Sequence, residues 1–216
     1  MISKYGYDVF FTVATLCAVL VVVAIVFVEP RLPKYCIIVA SLIVFGLTAN
    51  FFRDPQRTTP EGSAHIIAPA DGKIVALTVA EETEFFHSRA QRISIFMSPL
   101  NVHVNRNPVS GIVRYTRYVP GEFFAAYEDK ASEKNEQMIV GMDNSGGKIL
   151  FKQIAGFIAR RIVCTLNVGD TVKAGHRFGM IKFGSRVDVF VPENASMKVK
   201  MGDVTVAGET VLADFQ

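Results

Sequence analysis

Three short segments of this chain carry residue types that do chemistry. Near the C-terminus, Gly184-Ser185 interrupts an apolar run, Phe178 to Phe190, that is otherwise rich in strand formers. A glycine inside a strand marks a bulge or a close approach of backbone. A serine placed there has a second property: its hydroxyl can attack the carbonyl of its own preceding residue if the peptide is strained and a base takes the proton. Glycine at that preceding position has no Cβ to obstruct a distorted peptide. No Gly-x-Ser-x-Gly frame surrounds the serine, so ordinary serine-hydrolase chemistry has no support.

The second segment is Ser98-Pro99-Leu100-Asn101-Val102-His103-Val104-Asn105-Arg106-Asn107-Pro108. A strand over 102–106 sets Val102 and Val104 on one face and His103 and Asn105 on the other. An imidazole beside an amide suits a positioned acid or base, and equally a structural histidine satisfied by the backbone. The third segment, Pro69-Ala70-Asp71-Gly72, is a turn entering a strand, in which Asp71 serves as turn former or as a functional carboxylate.

These segments need elements to position them. The chain has 216 residues and a net charge of +3, which gives no electrostatic case for a nucleic-acid partner. Val9 to Val28 carries no charge, and neither does Tyr35 to Phe52. Each run approaches the roughly 20 residues that a helix needs to cross a bilayer. Glu29 to Lys34, with two prolines, is a polar turn between them, so the spacing predicts a two-helix transmembrane hairpin (helices about 9–28 and 35–52) with both ends on one side. The first run is too long for a signal peptide and is followed at once by a second. Neither run has the polar stripe of a helix in a soluble core. Lys4, Arg53 and Arg57 flank the hairpin against Arg31 and Lys34 in the turn, which tilts the body to the cytoplasmic face of the cell membrane. Cys17, Cys36 and Cys164 suggest no pairing, and neither they nor His65, His87, His103 and His176 have metal-site spacing, so no metal is expected.

From residue 53 to 216 the chain suffices for one further domain. Short apolar stretches alternate with Gly, Pro, Asn and Asp at 72–80, 92–97, 102–105, 111–119 and 148–158, which predicts a mainly β body. Residues 123–134 suit a helix or a loop. Gly169-Asp170-Thr171-Val172-Lys173-Ala174-Gly175 repeats as Gly202-Asp203-Val204-Thr205-Val206-Ala207-Gly208, each copy reading as turn, short strand and turn. Such pairs suit a barrel-sandwich of the lipoyl- and biotin-carrier kind, a likeness of fold that says little of function.

Taken together, the Pro-Ala-Asp-Gly turn at 69–72, the Ser-Pro-x-Asn-Val-His-Val-Asn-Arg-x-Pro run at 98–108 and Phe-Gly-Ser at 183–185 resemble the phosphatidylserine decarboxylase family, in its short, membrane-associated type. The resemblance runs from about Arg53 to the end, and the hairpin is in keeping with it. It implies autocatalytic cleavage of the Gly184-Ser185 bond into fragments 1–184 and 185–216, which remain together as a heterodimer. It implies that Ser185 becomes a pyruvoyl group, a self-derived cofactor that forms a Schiff base with the amine of a phospholipid substrate and accepts the electrons left by carbon dioxide. It implies that Asp71 orients or polarises the site and that His103 is a proton donor or base. Longer members carry a second histidine where this chain has Arg106, and Leu-Gly-Ser-Thr where it has Phe-Gly-Ser-Arg, so the processing base is open, with His103 the leading choice.

Other features are secondary. Arg53, Arg57, Arg89, Arg92, Arg106, Arg114 and Arg117 offer guanidinium groups to a lipid phosphate or serve as solvated surface. Phe123, Phe124 and Tyr127 suit a membrane-touching lid or core packing. Two alternatives stand beside the decarboxylase: the same chemistry on another serine-headed lipid such as an archaetidylserine, and a non-enzymatic lipoyl-like adaptor or carrier. Met197-Lys198 is similar to a biotin-accepting turn, although Val199 stands where that motif has a second Met.

Overall fold

Runs without charge or a polar stripe have no partner in water, and here they form two long helices, α1 (Tyr7–Phe27) and α2 (Arg31–Phe51). The structure is a computed structural model that describes residues 1–122, 124, 134–156, 161–182 and 185–216. It divides into two units, Met1–Pro55 and Gln56–Gln216. Each helix has 21 residues, about 31 Å at 1.5 Å per residue, which matches a hydrocarbon core of about 30 Å. Most of their apolar side chains face outward, Val26 and Phe27 among them, whereas Ala24 is buried. This is opposite to the core helices of a soluble protein. α2 begins at Arg31 rather than near Tyr35, because Pro33 falls in its first turn, where a missing N–H costs nothing. The ends of the hairpin meet: Ser3 N donates to Phe52 O at 2.8 Å and Asp54 N to Met1 O at 2.7 Å.

The second unit is built of strands: β1 (His65–Ile67), β2 (Gly72–Glu82), β3 (Ser88–Met97), β4 (Val104–Arg106), β5 (Gly111–Val119), β6 (Gln137–Asn144), β7 (Gly147–Ala155), β8 (Arg161–Cys164), β9 (Thr171–Val172), β10 (Arg177–Lys182), β11 (Ser185–Pro192), β12 (Ser196–Met197), β13 (Val204–Thr205) and β14 (Val211–Asp214). An eight-stranded sheet runs β13-β2-β3-β11-β7-β6-β5-β9, flanked by three-stranded sheets β1-β14-β12 and β4-β10-β8. The body is therefore mainly β, a curled half-barrel. Of residues 123–134, only Phe124 and Lys134 are among the described residues.

The small repeat belongs to a larger duplication. Read inward from either edge, the large sheet meets equivalent strands: β13 and β9, β2 and β5, β3 and β6, β11 and β7. Ala68-Pro69-Ala70-Asp71-Gly72 and Asn107-Pro108-Val109-Ser110-Gly111 occupy matching places, each leading into a long strand that bulges shortly after its start, at Ile74/Ala76 and Val113/Tyr115. Gly208 N donates to Ala68 O and Gly175 N to Asn107 O. The four repeat glycines, Gly169, Gly175, Gly202 and Gly208, all have φ between 75° and 97°. That left-handed region penalises any Cβ, which is why the Gly-Asp-x-x-x-Ala-Gly frame recurs. Asp170 and Asp203 each accept the backbone N–H three residues earlier, from Asn167 and Lys200.

The core lies inside the curl, where β11 contributes Val187, Val189 and Val191 and β7 contributes Ile149, Phe151 and Ala155. Period-two alternation sends Arg186, Asp188 and Phe190 to the opposite face. Arg186 Nε lies 2.6 Å from Asp188 Oδ1, and Arg186 Nη2 donates to Ser94 Oγ at 2.6 Å.

Candidate active site

Ser185 is the first residue of β11, paired with Met97 at the end of β3 on one side and Ala155 at the end of β7 on the other. It is fully buried. Phe183 and Gly184 lie outside the described residues, so the site is described from Ser185 onward. Paired residues share a face, so the Ser185 side chain points inward with Met97 and Ala155. Its hydroxyl donates to Met97 Sδ at 3.2 Å. Ala155 O, on the other flank, accepts from Asn135 Nδ2 at 2.7 Å, which fixes the end of β7 beside Ser185.

His103 lies one residue before β4, whose first pair is Val104 with Met180. β10 continues from Met180 to Lys182, just short of Ser185, so the start of β4 and the start of β11 lie at the same end of β10. The 102–106 strand expected from sequence is shorter by two residues, and no solvent-facing side exists: Val102, His103, Val104 and Asn105 are all buried. The imidazole Nδ1 lies 2.9 Å from Asn101 O. A carbonyl oxygen only accepts, so Nδ1 carries a proton, and in the neutral ring the lone pair falls to Nε2.

Asp71 is buried in the turn before β2, its Oδ2 2.7 Å from Arg57 Nη2 and its Oδ1 accepting from Ala207 N at 2.7 Å. The duplicate half separates two jobs here. Ser110 occupies the matching place and accepts from Ala174 N at 3.0 Å, so a hydroxyl suffices to hold that turn. The negative charge at Asp71 exceeds what the turn needs, and it is matched by Arg57. The same turn is tied to β4, since Arg106 N donates to Pro69 O at 3.0 Å and Asn105 Nδ2 to the same oxygen at 3.4 Å. The structure thus joins the Asp71 turn to the strand that follows His103, and Asn105 of this strand reaches Met97 Sδ, the atom to which the Ser185 hydroxyl also donates.

Of two polar residues at the centre, Asn105 was read in sequence as the amide beside His103, and Gln153 escaped the sequence reading. Asn105, fully buried, sends Nδ2 to Met97 Sδ at 3.7 Å and accepts from Gln153 Nε2 at 2.8 Å. A signal existed for Gln153: in β7 the core-facing positions read Ile149, Phe151, Gln153, Ala155, and one amide breaks the apolar series. Several of the arginines offered for a lipid phosphate are already matched within the protein, Arg89 by Glu193, Arg114 by Asp143 and Arg117 by Glu84. Cys164 lies on β8, and burial pushes its thiol up from the ordinary range.

A family model for phosphatidylserine decarboxylase matches residues 44–213. Curated proteins named phosphatidylserine decarboxylase proenzyme are similar over nearly the whole chain. That of Chlorobium limicola is 45% identical over 215 residues, 100% of both chains. Those of Chlorobium luteolum and Cytophaga hutchinsonii are each 44% identical, covering 99% of this chain and 99% and 98% of their own lengths.

Proposed function

The chain belongs to the phosphatidylserine decarboxylase family, and on that premise we propose that it is a self-processing decarboxylase of phosphatidylserine that forms phosphatidylethanolamine at a membrane surface. One observation carries the reading: Ser185, buried at the start of β11, lies at the same end of β10 as the start of β4, just after a buried histidine held through Nδ1 by Asn101 O.

Maturation uses the chain's own groups. Ser185 Oγ attacks the Gly184 carbonyl carbon, the bond to the Ser185 nitrogen breaks, and that nitrogen leaves as an amine. The ester then loses the Ser185 Cα proton, and Oγ departs within the new carboxylate of Gly184. The remaining enamine takes up water and releases ammonia, leaving a pyruvoyl group at the head of fragment 185–216. His103 Nε2 is the base in this reading, and Asp71, charged and held by Arg57, orients the segment before β4. The surroundings fit the group formed: Met97 and Ala155 flank the Ser185 side chain in an apolar interior that accommodates a methyl ketone. Its carbonyl supplies covalent capture of the lipid amine and a sink for the electron pair left by carbon dioxide. His103 then returns a proton to the product carbon. The fragments stay together because β11 hydrogen-bonds to β3 and β7 along most of its length. The helix pair anchors the body at the bilayer, on the cytoplasmic side by its flanking charges.

Intact-mass measurement of the purified full chain tests this. Two fragments are expected, the smaller one lighter by one ammonia than the same peptide with a serine N-terminus. Ser185→Ala is expected to stay whole and to release no labelled carbon dioxide from carboxyl-labelled phosphatidylserine. An uncut wild-type chain overturns the reading. Cleavage without carbon dioxide release from this lipid, but with release from archaetidylserine, would reassign the substrate.

A further inference from the structure

The interior beside Ser185 contains a short polar chain that the fold does not require. Gln153 Nε2 donates to Asn105 Oδ1 at 2.8 Å, Asn105 Nδ2 reaches Met97 Sδ at 3.7 Å, and Ser185 Oγ donates to the same sulfur at 3.2 Å. All four side chains are fully buried. The duplicate half supplies an internal control. By the match of Pro69 with Pro108 and Gly72 with Gly111, Asn105 of β4 corresponds to Ile66 of β1, which is fully buried in the core. An isoleucine is therefore enough to build that strand. A buried amide costs free energy unless it is hydrogen-bonded, and here a second amide, Gln153, is present to satisfy it.

We propose that Met97, held in place by Asn105 and Gln153, positions the Ser185 hydroxyl for self-cleavage, a role that rests on the function proposed above. A hydroxyl has one proton and two lone pairs, and a thioether sulfur is a weak acceptor. Donation to the sulfur fixes the Oγ rotamer and leaves both lone pairs open for attack. Because the bond is weak, the base takes the proton at little cost, whereas a carboxylate at the same place would hold it. The hydroxyl exists only until the chain is cut, since Oγ leaves with the Gly184 carboxylate. The influence of the sulfur is therefore confined to maturation.

The full chain, synthesised in the presence of lipid vesicles or detergent micelles, is followed for fragment appearance over time. Met97→Leu keeps the packing and removes the acceptor. It is expected to slow cleavage about fivefold, the loss of one hydrogen bond between neutral groups, with the thermal midpoint unchanged. Asn105→Ile, the residue of the duplicate half, is expected to slow cleavage similarly, and the double variant to be no slower than the slower single, since one acts through the other. Cleavage of Met97→Leu at the wild-type rate overturns the role. So does a double variant slowed by the product of the two effects, or a thermal midpoint that falls in step with the cleavage rate. A wild-type chain that stays whole overturns the proposed function itself, which separates the two failures.

Discussion

Replacing Arg186 by methionine isolates the charge pair that follows Ser185 on β11. Arg186 and Asp188 have side-chain exposures of 1% and 0%, with Nε and Oδ1 2.6 Å apart, and Arg186 also donates to Ser94 Oγ. Both charges have lost their water, so the pair itself adds little net stability. Breaking it leaves a carboxylate buried without its cation, which costs about 3–5 kcal/mol. Removing both charges, as Arg186→Met with Asp188→Leu, avoids that penalty and is expected to cost about 1 kcal/mol. Set in a Ser185→Ala background, to keep the chain whole on the proposed mechanism, the four chains of this cycle are compared by thermal unfolding in detergent, read by circular dichroism. At roughly 2–4 °C per kcal/mol for a body of this size, Arg186→Met lowers the midpoint by about 10 °C and the double variant by only a few degrees. With Ser185 restored, Arg186→Met also slows cleavage, because the start of β11 loses the side-chain hydrogen bond from Arg186 to Ser94 of β3. A single variant within about 1 kcal/mol of its parent, or a double variant as costly as the two singles summed, would refute the account.

Other expectations follow from separate parts of the body. A Cβ on Gly72 would lie 2.3 Å from Phe96 O and 2.7 Å from Ile95 Cγ2; Gly72→Ala is expected to cost about 3 kcal/mol and to abolish cleavage by displacing the Asp71 turn. Gly202→Ala meets only Lys73 Cε, at an ordinary 3.9 Å, and suffers its φ of 90°, for about 1 kcal/mol and normal cleavage; equal midpoints for the two variants would sink the distinction. The His65 hydrogen bond, helped by Lys198, holds the Asp214 carboxyl below its ordinary range. Because that pKa is lowered on folding, the contribution is complete above the unfolded value and is lost as pH falls through the folded one. Asp214→Asn should thus be less stable than wild type at pH 7, with the gap closing below about pH 4, and a gap that persists in acid contradicts this. Burial raises the Cys164 thiol, so iodoacetamide should modify Cys164 in the folded chain at pH 8 more slowly than in urea, with equal rates as the refuting result.

Local sequence was enough wherever the cause is local. The helical hairpin follows from length and the absence of charge, and the repeat frame from glycines that must adopt positive φ. The strand from Gly111 to Val119 follows from alternation and comes out with the expected ends. Ser185, His103 and Asp71 were identifiable as candidates by residue type and by resemblance, without any knowledge of their neighbours. The partners were not legible, because each is set by pairing distant segments. Met97 meets Ser185 across 88 residues and Gln153 meets Asn105 across 48. Arg57, read in sequence as a flanking charge, becomes the counter-ion of Asp71 only once the turn is folded. The duplication beyond the seven-residue repeat was hidden for the same reason: its halves share backbone hydrogen bonds and bulges, which leave little trace in side-chain identity. Sequence thus singled out candidate residues by type and resemblance. The tertiary structure decided which atom each one faces, because register across the large sheet, not proximity in the chain, brings those atoms together.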